Sequence, residues 1–157
     1  MSFTIRRFQN TDAAETAGII EKTLLISNRP DYSDADIQEM ITLYSRDGVL
    51  ERAETSHFYV ICDREAIIGC GGIAEYMGNP TESILVTVFL LPEYQGKGVG
   101  RLIMETLEQD EYFLRASRIV IHSSITAHMF YKKLGYTYAD GSAVPDEEGC
   151  IRMEKRR

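Results

Sequence analysis

Long apolar runs are missing from this chain of 157 residues. No segment approaches the roughly 18 consecutive apolar residues that a membrane-spanning helix needs, and residues 1–7 contain no apolar signal-peptide core. We therefore expect a cytoplasmic protein with no membrane partner. Hydrophobic residues make up 44% of the chain and charged residues 26%, which is ordinary for a globular domain with a buried core.

Positive charge and cysteine are also scarce. Seventeen Lys and Arg stand against 24 Asp and Glu, so the net charge is −7, which argues against general nucleic-acid binding and suits a cationic substrate. The three cysteines, Cys62, Cys70 and Cys150, lie in apolar runs without metal-ligand spacing, so we expect reduced thiols and no metal. Repeats, linkers and low-complexity tracts are lacking, which predicts one domain over residues 1–157.

Hydrophobic periodicity predicts strands and helices in the order β-α-α-β-β-β-α-β-α-β-β. Ser33 is typical of a helix cap, and Asp47 and Gly48 are predicted to end that helix. Glycines inside the strand predicted for residues 67–76 indicate a bulge or a close approach by another group. Other strands are predicted for residues 3–8, 58–62, 84–91 and 118–123, a hairpin for 136–139 with 150–155, and helices for 12–26, 99–114 and 125–134.

The segment 90–101 organises the chain, because a predicted strand runs through a glycine-rich turn directly into a helix. The first turn of a helix leaves backbone N–H groups without partners and carries partial positive charge. Residues without a Cβ let an anion approach those groups, and basic side chains add full charge. The turn therefore predicts a phosphate or diphosphate site. Its glycines and basic residues are Gly96, Gly98, Gly100, Lys97 and Arg101.

The spacing in this turn discriminates among phosphate-binding motifs. The nucleotide P-loop pattern is absent, and the dinucleotide pattern fails because Arg101 replaces its last glycine. Gln95, Gly98 and Gly100 form the pattern Gln-x-x-Gly-x-Gly, which resembles the diphosphate-binding motif of the GNAT superfamily of acetyl-CoA-dependent N-acetyltransferases. An ordinary strand-to-helix turn is the alternative. Residues 130–136, Phe-Tyr-Lys-Lys-Leu-Gly-Tyr, strengthen the resemblance, which covers nearly the whole chain.

The resemblance implies an α/β fold with a central mixed sheet flanked by helices. Two parallel strands, ending at Leu91 and Ser123, are expected to splay apart and admit acetyl-CoA, the cosubstrate. Each of several residues that the resemblance assigns to cofactor binding also has an alternative role. Residues 89–91 and Phe130 would then pack in the core, Ser124 would cap a helix, and Lys133 would be exposed to solvent. The residues that the resemblance assigns to cofactor binding are Phe89, Leu90, Leu91, Gln95, Gly96, Lys97, Gly98, Val99, Gly100, Arg101, Ser124, Ala127, Phe130 and Lys133.

Tyr131 matches the tyrosine that donates a proton to the departing thiolate in many members of the family, and a phenol can serve as a general acid. Its alternative role is packing in an amphipathic helix. A general base is less evident. Glu75 is the first candidate and His122, whose imidazole titrates near 6.5, the second. A solvated strand end and a hydrogen-bonded core histidine are the respective alternatives.

These patterns predict an N-acetyltransferase that transfers acetyl from acetyl-CoA to a primary amine of a small molecule or peptide by direct attack. A non-catalytic acyl-CoA-binding or sensory module with the same fold is the alternative. By resemblance, the acceptor pocket comes from residues 28–36, the strand end near Glu75 and the acidic loop 140–149. Many members of the family form homodimers through terminal strands, and the sequence leaves this point open.

Overall fold

The structure is a computed structural model and describes residues 2–157. The strands are β1 (Phe3–Arg7), β2 (His57–Asp63), β3 (Ala66–Tyr76), β4 (Asn79–Leu90), β5 (Arg118–Ser124), β6 (Thr137–Tyr138) and β7 (Cys150–Arg156). The α-helices are α1 (Ala13–Thr23), α2 (Asp34–Leu43), α3 (Arg46–Glu54), α4 (Val99–Glu108), α5 (Glu111–Leu114) and α6 (His128–Lys133). No helix in residues 2–157 combines the length and the apolarity that a membrane crossing requires.

All seven strands form one mixed sheet in the order β1-β2-β3-β4-β5-β7-β6. Strands β4 and β5 are parallel, and they pair only from Glu82–Arg118 to Leu85–Ile121. Beyond that point β4 continues to residue 90 and β5 to residue 124 without pairing to each other. The predicted splay of two parallel strands in a mixed sheet is therefore confirmed, and we call this gap the fork.

A bulge bends β4 next to the fork. Cys70 of β3 pairs with Phe89 of β4, while Gly72 pairs with Val86, so two residues of β4 lie opposite one residue of β3. Thr87 within this bulge has φ of +55°, an uncommon conformation for a residue with a branched Cβ. The irregularity that the glycines of β3 indicated is confirmed.

Capping side chains end two helices earlier than the hydrophobic periodicity predicts. The helix predicted to end at residues 47–48 ends at Leu43, because the Ser45 hydroxyl accepts the Gly48 N–H (3.2 Å) and starts α3. Likewise, the helix predicted for 99–114 breaks where the Asp110 carboxylate accepts the Tyr112 N–H (2.9 Å) and starts α5. In both places a side chain competes locally with continuation of the helix.

Asp110 is also the centre of a buried polar cluster. Its carboxylate accepts hydrogen bonds from the Tyr59 hydroxyl (2.5 Å) and lies 2.9 Å from Nδ1 of His57, whose ring stacks on Tyr112. Burial raises the pKa of Asp110, but the hydrogen bonds from Tyr59 and His57 outweigh it and leave the pKa below the ordinary value. The cluster joins β2 to the start of α5.

The two faces of the sheet have different roles. A Cβ added at Gly71 would lie 2.9 Å from Ile103 of α4, so Gly71, and with it Ile73 and Glu75, faces the helices α4 and α5. The alternate residues Gly72 and Ala74 face the opposite side, and Ala74 lines a cleft at the fork. This open face holds the candidate site.

Candidate active site

A cleft opens at the fork of β4 and β5. Its floor comes from β3, β4 and β5, one wall from α2 and α3, and the other from the start of β7 and the loop before it. The side chains relevant to chemistry that line it are Tyr32, Asp36, Glu39, Tyr44, Glu51, Arg52, Thr87, Phe89, His122, Ser124, Ala127, Tyr131, Glu147, Glu148 and Cys150.

The glycine turn has the conformation that an anion site requires. Gly98, with φ of +81°, directly precedes α4, and Gly96 has φ of +75°. A Cβ built on either residue meets no atom within 4 Å, so open space lies before these backbone groups. Lys97 and Arg101 are exposed beside the turn. These residues fit a diphosphate by backbone shape and charge.

Gly100 and Val99 have a packing role instead. A Cβ on Gly100 would lie 3.1 Å from the ring of Phe130, so this glycine lets α4 pack closely against α6. The Val99 side chain is 1% exposed in the core, which leaves only its backbone for a ligand. Close approach of an anion to Gly100 was the expectation, and the structure places an aromatic ring there.

Gln95 connects the turn to the end of β4. Its amide nitrogen donates to the Leu90 carbonyl (2.8 Å) and to the Ser27 hydroxyl (3.1 Å). The N–H of Leu91, a residue expected to bind the cofactor, donates to the Ile68 carbonyl (2.9 Å). Because backbone groups alternate sides along a strand, the Leu90 N–H points away from β3 and into the fork. Leu90, one of the three residues of this strand expected to bind the cofactor, therefore presents a backbone donor to the fork.

On the other side of the fork, the Ser124 hydroxyl accepts the Ala127 N–H (3.1 Å). Both residues line the cleft. The bond shows that the Ser124 side chain caps the turn, which is the alternative role given above for this residue. The helix begins at His128, three residues later than predicted, because Ser124 closes a turn before α6. Lys133 is exposed at the end of α6.

Tyr131 lies on α6 and lines the cleft, although only 3% of its surface is exposed. Its ring packs edge-on against Phe130 and Tyr136, with centroids 5.1 and 5.9 Å away. The hydroxyl makes no hydrogen bond to any residue from 2 to 157. Burial strongly raises the pKa of Tyr131, so the phenol is protonated at neutral pH.

Glu75, the first candidate base, does not reach the cleft. Its carboxylate forms a 2.5 Å ion pair with Arg115, on the sheet face that packs against α5. Alternation along β3 is the physical reason, because Ala74 faces the cleft and its neighbour must face away. The predicted position of Glu75 beside the acceptor is corrected by this placement.

His122, the second candidate, does line the cleft. The half-buried ring lies edge-on to Tyr76, with centroids 6.0 Å apart. Burial lowers the pKa of His122, as does the positive charge of Arg152, while Asp146 and Glu148 raise it less. The imidazole is therefore mainly neutral at pH 7, and it can accept a proton.

Tyr32 joins the acceptor walls. Its hydroxyl accepts the Ile125 N–H (2.8 Å), next to Ser124, and donates to the Gly149 carbonyl (2.9 Å). Two of the segments predicted to flank the acceptor, residues 28–36 and loop 140–149, thus meet at one phenol beside the end of β5. No sequence pattern indicated this role of Tyr32, because its hydrogen-bond partners lie about a hundred positions away in the chain.

Of the acidic residues predicted near the acceptor, Asp36, Glu147 and Glu148 line the cleft. Asp34 pairs with Arg29 and Asp31 accepts from the Thr126 hydroxyl, so these two have local partners. Asp146 accepts the Cys150 and Glu148 N–H groups and pairs with Arg152, which shapes the loop.

Tyr44 and Arg52 form a contact that sequence reasoning missed. The Arg52 guanidinium lies 5.0 Å from the centre of the Tyr44 ring, which packs edge-on against Phe89 at 5.1 Å. Burial raises the pKa of Tyr44, although the nearby guanidinium opposes this. Arg52 lies on α3, which carries no motif, so no sequence signal placed it at the cleft.

Comparison with known proteins decides the family. A family model described as an acetyltransferase (GNAT) domain matches residues 54–138, more than half of the chain. The chain belongs to the GNAT acetyltransferase family. The matched residues include β4, the glycine turn, α4, β5 and Tyr131, so the fork lies inside the GNAT domain.

Relatives and solved structures agree with this assignment. Proteins of Streptococcus pyogenes named as uncharacterized acetyltransferases are 32% identical over 74 residues, 47% of this chain. The chain spans about half the length of the curated relatives it matches. The PaiA N-acetyltransferase of Thermoplasma acidophilum, solved in complex with coenzyme A, has a TM-score of 0.82 at 18% identity over 100% of both chains. A GCN5-related N-acetyltransferase from Rhodopseudomonas palustris has a TM-score of 0.80 at 19% identity, covering 100% of this chain and 97% of that one. The GNAT fold is shared with both.

Proposed function

We propose that this GNAT protein transfers an acetyl group from acetyl-CoA to a primary amine of a small molecule or peptide by direct attack. One observation supports the proposal above the others. The open glycine turn at the start of α4 and the buried phenol of Tyr131 belong to the two sides of the same fork. The turn follows β4 and α6 follows β5, so an anion site and a proton donor come after the two strands that form the fork.

The cosubstrate, when bound, supplies an acetyl thioester. In our proposal the backbone N–H groups of residues 96–99 bind its diphosphate, and Lys97 and Arg101 add positive charge. The Leu90 N–H, which points into the fork, binds the pantetheine arm and polarises the thioester carbonyl. A backbone donor aimed at a developing oxyanion contributes about 3 kcal/mol to transition-state stabilisation.

Tyr131 then serves as the general acid. Its phenol stays protonated at neutral pH because burial raises the pKa, and it has no protein hydrogen-bond partner to displace. It is therefore free to hydrogen-bond the departing sulfur and supply its proton. Cys150 lines the cleft, but burial raises the pKa of its thiol and it belongs to no motif, which favours direct attack over a covalent acyl-enzyme.

His122 is the base that we propose for the acceptor. A lysine-like amine has a pKa near 10.4, so its deprotonation at pH 7 costs about 4–5 kcal/mol. A neutral imidazole lining the cleft can accept that proton, directly or through water. The carboxylates on the rim, Asp36, Glu147 and Glu148, attract the cationic amine to the cleft.

The test of Tyr131 is a thiol-release assay with acetyl-CoA and a panel of amines. Tyr131→Phe should lower kcat by about 100-fold or more and leave the Kd for coenzyme A within twofold. Tyr138→Phe, which removes a phenol bonded to His128 outside the cleft, is the matched control and should leave kcat unchanged. Full activity in Tyr131→Phe would remove this residue from the mechanism.

The test of His122 is a pH–rate profile. Because a base must be unprotonated, the rate should rise with pH through a pKa below 6.5, and this limb should vanish in His122→Ala. If the limb persists, the proton goes to another acceptor, through a water relay or with an already neutral amine.

The position of Glu75, outside the cleft, favours one alternative. A GNAT domain that binds acyl-CoA without turnover needs no base and would act as a sensory or binding module. Tight binding of coenzyme A in calorimetry, with no thiol release for any amine, would support that module over the enzyme. A cytoplasmic location and a homodimer stay predictions from the sequence and its resemblance.

A further inference from the structure

Arg52 differs in its environment from the other partly buried arginines of residues 2–157. Arg6 pairs with Asp12 at 2.8 Å, and Arg118 pairs with Glu82 and Glu154 at 3.3 and 3.0 Å. Arg52 is also partly buried, yet it forms no ion pair within the described chain. A partly buried charge without a counter-charge loses hydration that no ionic partner compensates. Such a group is therefore expected to meet its counter-charge in a ligand.

The guanidinium of Arg52 is held in place by contacts that use few of its hydrogen-bond donors. One of its nitrogens donates to the Gly48 carbonyl (3.1 Å), and the plane lies over the ring of Tyr44. Arginine has five N–H donors, so most of them stay free. A fixed orientation lowers the entropy cost of binding a planar anion such as a carboxylate.

Arg52 is also the only lysine or arginine that lines the cleft in residues 2–157. The acidic residues that line it, Asp36, Glu39, Glu51, Glu147 and Glu148, are all exposed at the rim. Positive charge thus lies deeper than negative charge. Through Tyr44, Arg52 is two side-chain contacts from Phe89, which is on β4 at the fork.

We infer that Arg52 binds a carboxylate of the acceptor, so the acceptor is an amine that also carries an acidic group. This inference rests on the proposed acetyl transfer and names the acceptor class for that cleft. The rim carboxylates attract the ammonium end of the acceptor, while the guanidinium of Arg52 donates two parallel hydrogen bonds to its carboxylate. A free amino acid and the end of a peptide share this chemistry.

The test compares amines that differ by one carboxylate: L-lysine with cadaverine, L-ornithine with putrescine, and 6-aminohexanoate with pentylamine. Each pair is assayed by thiol release, together with a lysine peptide having either a free or an amidated C-terminus. With the wild type, the carboxylate-bearing member of at least one pair should have a kcat/KM about 10- to 100-fold higher, mainly through KM.

Arg52→Gln should abolish this advantage and leave the carboxylate-free partner within twofold, because that partner has no carboxylate for the guanidinium to bind. Arg46→Gln is the matched control, since Arg46 is an exposed arginine of the same helix that pairs with Asp47 outside the cleft. It should leave both members unchanged. Melting temperatures of the two variants separate a binding defect from a folding defect.

The outcomes are distinguishable. If carboxylate-free amines are preferred, or Arg52→Gln lowers both members equally, the inference is overturned while acetyl transfer to amines stands. If carboxylate-free amines are acetylated and no carboxylate-bearing one is, the inference is likewise overturned. If no amine in any pair releases thiol although coenzyme A binds, the proposed function fails first and the inference with it.

Discussion

Replacing Gly98 by alanine tests the diphosphate site through backbone geometry. Gly98 has φ of +81°, a region in which a residue with a Cβ loses about 1–2 kcal/mol. The added methyl would meet no protein atom within 4 Å, so it projects into the space that we assign to the diphosphate. Losing one backbone hydrogen bond to a charged group costs about 1.5–3 kcal/mol, which corresponds to a rise in Kd of about 10- to 150-fold.

Gly78 provides the matched control. It has φ of +71°, its added Cβ also meets nothing within 4 Å, and it lies in the turn between β3 and β4, away from the glycine turn. Gly78→Ala and Gly98→Ala should therefore lower the free energy of unfolding by similar amounts. For a domain of this size, each kcal/mol corresponds to about 2–4 °C in melting temperature.

Isothermal titration with coenzyme A, run beside thermal unfolding, separates strain from binding. We expect both variants to melt at lower temperature and Gly98→Ala alone to lose affinity. Equal affinity of Gly98→Ala and wild type, with the expected loss of stability, would refute the assignment of the diphosphate to this turn. Equal loss of affinity in both variants would show that general destabilisation is responsible.

Three further predictions follow from the contacts described. Glu75→Gln should leave kcat/KM within twofold. It should lower the free energy of unfolding by less than about 1 kcal/mol, since it breaks a half-exposed ion pair with Arg115. A tenfold loss of rate would restore Glu75 as a candidate base. Tyr32→Phe removes the hydroxyl that joins both acceptor walls, so KM for the amine and hydrogen exchange of loop 140–149 should rise while the Kd for coenzyme A stays unchanged. Because the folded-state pKa of Asp110 is lowered, its carboxylate stabilises the fold above about pH 4, its unfolded value, and this contribution is lost as the pH falls through the folded pKa. Melting temperatures measured from pH 6 to 2 should therefore fall less steeply in Asp110→Asn than in the wild type, and parallel curves would contradict the role of Asp110.

Adjacent residues determined the part of the fold that makes the fork. The apolar run of β4, the glycines after it and the amphipathic pattern of α4 follow one another in the chain, so local propensity and spacing were sufficient to predict strand, turn and helix. The resemblance to the GNAT family rested on the same residues, and the family match confirms it. Helix boundaries at residues 45 and 110 were missed because single capping side chains override a continuous periodic pattern.

Tertiary structure alone decided which side chains share the cleft. Glu75 and Ala74 are neighbours in sequence, and only the packing of α4 and α5 against β3 shows which of them faces the open side. Tyr32 and Arg52 reach the cleft from segments that carry no motif, through contacts with residues far along the chain or on another layer. Periodicity records what an element buries, whereas the meeting of distant side chains depends on how all the elements pack together.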